Sequence, residues 1–257
     1  MITGLAVAYV PLADQLAAMR DEAAVVGLLL GAVALFIGWF YGLDRDRLAA
    51  AAQARGLDPV QARNRAVLQS RWAGFVLFGL GMVVVEALGG TDRLLAGVRG
   101  IDLLPTLVVG LALGAGFGIT AGLSARKPAF HDRYPEIRGA VVSPRDRAAS
   151  YLAWAAYLVG YEYLFRGALL FGLAEAWDVT AALSITTGLY VLAHLHKDGA
   201  ETASCFAVGL IFGAAALGTG SFVVAWIAHV IIAITSETSA TLAHPNIRYG
   251  ASDASDA

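Results

Sequence analysis

Seven apolar stretches dominate the chain, at 23–43, 73–88, 103–123, 149–177, 179–195, 202–217 and 221–236. A bilayer core of about 30 Å is crossed by about 20 apolar residues in helical form. Lipid offers the backbone no hydrogen-bond partner, so each stretch is expected to be a helix that satisfies its own N–H and C=O groups. Composition agrees: 58% of residues are hydrophobic, 15% are charged and the mean hydropathy is +0.66, far more apolar than a soluble domain of 257 residues needs to fill its core. The expected fold class is all-α, a polytopic membrane bundle of about seven transmembrane helices. Residues 1–148 are expected to hold the N-terminal helices and their loops, 149–237 a functional core, and 238–257 a polar, disordered tail.

Charge sets the expected topology. The loop at 44–71 carries six Arg, and the loop at 124–147 carries five Arg and Lys127. If both are cytoplasmic, alternation puts Lys197 and Arg248 on the same side and leaves only Arg20, Arg93 and Arg99 outside, which satisfies the positive-inside rule. The N-terminus is then external and the C-terminus cytoplasmic. Basic residues gathered in this way serve topology and give no reason to expect nucleic acid. Residues 2–12 are apolar but short, lack a positive leader and are followed by acidic residues, so they are read as an interfacial or partly inserted segment and not a cleaved signal. Abundant Ala, Gly and Arg with two lysines point to a bacterial gene of high GC content and to the prokaryotic inner membrane.

Within the third stretch, Gly110, Gly114, Gly118 and Gly122 recur at four-residue steps. Small residues on one face let membrane helices approach closely, so this face is expected to be a packing surface. The lone Cys205 excludes an internal disulfide and is expected to be a small core residue.

The fourth stretch, AASYLAWAAYLVGYEYLFRGALLFGLAEAW, carries Glu162 and Arg166 in its middle. Ionised groups at membrane depth are costly unless paired or facing water, which makes them functional candidates. Four residues apart on a helix, the two share a face and can neutralise each other. His229, within FVVAWIAHVIIAI, needs a buried partner of its own. His194 and His196, two apart, face nearly opposite ways, so one of them at most is expected to join Glu162. Lys197, Glu201, Glu237 and Tyr161 form a second tier. A carboxylate and two imidazoles in a membrane cavity suit peptide-bond hydrolysis: the carboxylate takes a proton from water, and the imidazoles hold that water and stabilise an oxyanion.

Together these residues resemble the intramembrane endopeptidases named for CAAX proteases and bacteriocin-processing enzymes, the type II CAAX prenyl protease or Abi family. Its motifs are EExxxR on one helix, FxxxH on the next and HxxxN or HxxxD on a later one. Here they read Tyr161-Glu162-Tyr163-Leu164-Phe165-Arg166 followed by Gly167, then Tyr190-Val191-Leu192-Ala193-His194, then His229-Val230-Ile231-Ile232-Ala233. The resemblance covers about 149–237. It implies a glutamic-type intramembrane peptidase in which Glu162 activates water, Arg166 orients it, and His194 and His229 serve the oxyanion and the water. The substrate would be a membrane-associated protein or peptide.

Three positions depart from the family pattern. Tyr161 stands where the family has its first glutamate, Tyr190 replaces Phe, and Ala233 replaces the Asn or Asp after the second histidine, with Glu237 one turn further along as a possible substitute. The turn from His196 to Glu201 is similar to the HLGKPxxE turn of a branch that reads WEFFFRG and also has a single glutamate. The resemblance implies catalysis without a bound metal. A zinc ion, which needs three protein ligands and an open position, would draw on Glu162, His194 and His229. Two other readings stay open: a non-catalytic membrane scaffold or immunity-type protein that keeps the fold, and a proton-coupled transporter, for which no inverted repeat is visible.

Overall fold

Short polar signals set where the helices begin. Asp58 before Pro59, Ser143 before Pro144, and Asp178 before Val179 each accept a backbone N–H with the side-chain oxygen, at 2.8, 3.1 and 2.9 Å, and proline costs nothing at a first helical position. The computed structural model describes residues 12–89, 96–98, 101–195 and 199–250. Among these, eight helices of two turns or more follow in order: α1 (Leu12–Gly42), α2 (Arg45–Gln53), α3 (Pro59–Leu88), α4 (Leu103–Ser124), α5 (144–176), α6 (Val179–Leu192), α7 (Gly199–Thr219) and α8 (Val223–Ala243). The molecule is an all-α membrane bundle, with all seven apolar stretches helical. Five helices, α1, α3, α4, α7 and α8, are long and apolar enough to cross a membrane. α5 is long enough but carries more polar residues, and α6, at 14 residues, spans only about 21 Å at 1.5 Å per residue.

α3 starts well before the apolar stretch that announced it, at Pro59, so Arg71 belongs to a helix and not to a loop. Within the first basic loop, the Ala-rich segment Arg45–Gln53 forms α2. The tail differs from expectation. α8 runs on to Ala243, and Arg248–Tyr249 pairs in parallel with Val141–Val142. The Arg147 guanidinium lies 4.7 Å from the Tyr249 ring centroid. The described part of the tail, up to Gly250, finds its partners a hundred residues upstream. Residues 1–11, 196–198 and 251–257, which include the N-terminal apolar segment, His196, Lys197 and the last polar residues, lie outside the described residues.

The glycine face of α4 packs on α8. A Cβ on Gly114 would lie 2.6 Å from Ile231 Cδ1, while Gly118 and Gly122 meet Thr235 and Ser239. Only the missing side chains allow these helices their approach. A second close crossing joins α5 to α3, where a Cβ on Gly160 would stand 2.9 Å from both Gly79 N and Phe75 O. Both crossing helices widen there from i→i−4 to i→i−5 bonding, over Phe75–Gly81 and Tyr163–Leu169, a feature common at functional sites.

Loops sort to two ends. At one, Arg45 pairs with Glu136 at 3.0 Å, Asn64 bonds the backbone of Arg138, Arg133 pairs with Glu201, and the strand 248–249 lies on 141–142. At the other, the N–H of Phe222 donates to Gly97 O at 3.2 Å. The Arg-rich loops thus meet at one end of the bundle.

Candidate active site

Glu162 closes the first part of α5 and is completely buried. Arg166, one turn on in the widened stretch, donates from Nη1 to Glu162 Oε2 at 3.0 Å. His229 comes across from α8 and donates from Nδ1 to Glu162 Oε1 at 2.5 Å. Both carboxylate oxygens are therefore engaged, one by a guanidinium and one by an imidazole. Charge-assisted bonds of this kind are the strong ones, and they offset the cost of holding the carboxylate away from water. Arg166 also lies over the Tyr190 ring, its Cζ 4.1 Å from the centroid. That ring faces a guanidinium whose Nη2 has no acceptor among the described residues.

His194, just past the end of α6, donates from Nδ1 to the carbonyl of Tyr190 at 2.8 Å, while Thr202 holds the His194 carbonyl at 2.9 Å. The acceptors fix the tautomers. Each histidine places its Nδ1–H against the protein, so the neutral ring carries a lone pair on Nε2. Tyr161 stands between them, with ring centroids 6.3 Å from His194 and 6.1 Å from His229 and planes near perpendicular to both.

A cavity of about 690 Å³ opens beside these residues. Tyr161, His194 and His229 form its inner end, Phe36, Trp39 and Tyr157 one aromatic wall, and Arg45, Arg133, Glu136 and Glu201 part of its mouth. Glu162 and Arg166 do not border it. The His229 side chain is 19% exposed against 0% for Glu162, so the imidazole stands between the carboxylate and the cavity.

The second-tier residues divide. Tyr161 is at the centre of the site. Glu201 pairs with Arg133 at the mouth, and Lys197 lies outside the described residues. Glu237 belongs to another cluster, accepting from Arg71 at 2.9 Å, from Trp154 Nε1 at 3.0 Å and from the Glu136 N–H at 3.1 Å. It therefore does not replace the polar residue missing at Ala233, which packs against Trp154 and Leu158. Beside this cluster, burial followed by the charges of Glu136, Glu201 and Glu237 pushes the Tyr134 hydroxyl above its ordinary range, so it remains a neutral donor at the mouth.

Two buried groups escaped the sequence reading. Arg71 is fully buried, and Glu86 in α3 accepts from the Tyr163 hydroxyl. Glu86 had a visible signal, an acid inside an apolar stretch. Arg71 had none, because it reads as the last residue of a basic loop.

Both oxygens of Glu162, the carboxylate a zinc ion would draw on, are already engaged. Oε1 accepts from His229 Nδ1, Oε2 accepts from Arg166, and among the described residues no group of three or more His, Cys, Asp or Glu is placed to hold a metal ion. Residues 147–235 match the family model described as type II CAAX prenyl endopeptidase Rce1-like. No curated protein and no solved structure matches the chain.

Proposed function

We propose that this chain, whose residues 147–235 carry an Rce1-like type II CAAX prenyl endopeptidase domain, is a membrane-embedded peptidase that hydrolyses a peptide bond in a membrane-associated protein or peptide. The observation that carries this reading is the buried Arg166–Glu162–His229 chain, which reaches the cavity only through an imidazole. A carboxylate holding one nitrogen of a histidine whose other nitrogen faces substrate is the arrangement of a general base.

Glu162 acts through His229. With Nδ1 held by the carboxylate, Nε2 points away from Glu162 and takes a proton from water as the water oxygen bonds to the peptide carbonyl carbon. The resulting imidazolium is stabilised by Glu162, whose charge Arg166 balances. That proton then passes to the departing nitrogen as the C–N bond breaks, giving a carboxylate and an amine. His194 Nε2 accepts a hydrogen bond from the water's second hydrogen, which aims the attacking lone pair, and takes that proton when the new acid group ionises to the carboxylate. The aromatic wall suits an apolar or lipidated segment of substrate, and the charged mouth suits a polar chain end entering from the membrane surface. Because the basic loops gather at that mouth, it faces the cytoplasm under the positive-inside rule, with the N-terminus outside and the C-terminus inside a prokaryotic plasma membrane.

The test uses purified protein in proteoliposomes with a pooled set of prenylated and transmembrane peptides, read by mass spectrometry. Glu162→Gln and His229→Ala are expected to lower the cleavage rate by about 10³–10⁴-fold, as when a triad carboxylate or histidine is lost. Cleavage at the wild-type rate in both variants would sink the base assignment. The seclusion of Glu162 behind His229, together with Ala233, favours a second reading, a non-catalytic membrane scaffold. No cleavage of any peptide by the wild type is the result that supports it.

A further inference from the structure

A tetrahedral oxyanion needs a donor, and the two histidines have turned theirs away. In the neutral site both Nδ1–H groups are spent on the Tyr190 carbonyl and on Glu162, so the imidazoles meet the cavity as acceptors. Ala233, one turn after His229, has no polar side-chain atom and packs in an apolar cluster. The group at the inner end of the cavity with a hydroxyl to offer is Tyr161, which borders it and touches both histidine rings edge to face. Its ring is clamped by Phe165 at 4.9 Å, Tyr157 at 5.6 Å and Phe78 at 6.0 Å between centroids. A donor held so firmly is preorganised and needs no rearrangement as charge develops. Its hydroxyl makes no hydrogen bond to another described residue.

We infer that Tyr161 is a catalytic residue, the oxyanion donor of this site. The inference rests on the peptidase reading. As the water oxygen bonds to the carbonyl carbon, the carbonyl π pair moves to oxygen, and the Tyr161 O–H donates to that oxygen. The bond lengthens but the proton stays on tyrosine, and the donation relaxes when the C–N bond breaks and the carbonyl re-forms. Tyrosine here does what a second carboxylate could not, since a carboxylate beside an oxyanion repels it.

The experiment is Tyr161→Phe, which keeps the ring and its packing and removes only the hydroxyl. In proteoliposomes, with a peptide found cleaved by the wild type, kcat is expected to fall about 100-fold with KM within about twofold, the usual cost of one oxyanion donor. A phosphinate analogue of that peptide, tetrahedral and anionic, should lose binding by the same factor. Protein carrying 3-fluorotyrosine at this position retains the donor and should keep the wild-type rate within about threefold, which a packing role alone does not predict for one variant and deny to the other. Wild-type cleavage by Tyr161→Phe, or a fall in kcat with phosphinate binding unchanged, overturns the assignment and leaves the peptidase reading intact. Absence of any cleavage by the wild type, with His229→Ala indistinguishable from it, overturns both.

Discussion

Arg71→Met tests whether the second polar cluster holds the bundle together. The guanidinium is completely buried, donates to Ser150 Oγ at 2.9 Å, Glu136 at 2.7 Å and Glu237 at 2.9 Å, and lies 4.0 Å from the Trp154 ring centroid. Methionine fills much of the volume but leaves two carboxylates without their common cation. Removing one partner of a buried pair costs about 3–5 kcal/mol. Glu136 keeps Arg45, and Glu237 keeps Trp154 Nε1 and a backbone N–H, so the cost should sit near the lower end, about 3 kcal/mol. Glu237→Gln in the same background removes the stranded charge while keeping an oxygen for Trp154, and should recover about half of the loss. Reversible unfolding in mixed micelles, run as a double-mutant cycle over the four proteins, measures both numbers. A cost below about 1 kcal/mol for Arg71→Met, or singles that simply add, would refute the view that these residues form one interdependent unit.

Gly160→Ala should destabilise by about 1–3 kcal/mol, because the new methyl meets backbone atoms of α3 that no rotamer change can clear. Gly116→Ala, with nothing within 4 Å of the new atom, should be neutral or stabilise by up to about 1 kcal/mol, and the same unfolding assay distinguishes them. Tyr163→Phe removes the hydroxyl that donates to buried Glu86 and should cost about 1–3 kcal/mol, read by the same midpoint shift. Alkaline phosphatase fused after Asp178 should be active and after Arg126 inactive, and the reverse pattern refutes the proposed orientation.

Much of the architecture was legible because lipid imposes it. Long apolar stretches can only be helices there, a four-residue glycine period can only be a close helix face, and Glu162 with Arg166 at helical spacing can only be neighbours. These are local rules, so one strand of sequence suffices to apply them. The start of α3 at Pro59 was hidden because its first turns are polar, and the ordered tail was hidden because its partners lie far upstream.

Which group reaches the cavity was decided by tertiary structure alone. Sequence placed Glu162, His194 and His229 on three helices but could not say how each helix is rotated about its axis, and the widened turn at Tyr163–Leu169 changes that rotation locally. Rotation seals Glu162 behind His229, sends Glu237 to Arg71, and brings Tyr161 to the cavity between two imidazoles. The sequence determined that charged and imidazole groups lie inside a membrane bundle. Their division into a chain that opens on the cavity and a cluster that ties helices together was set by helix packing, which no spacing along one helix can encode.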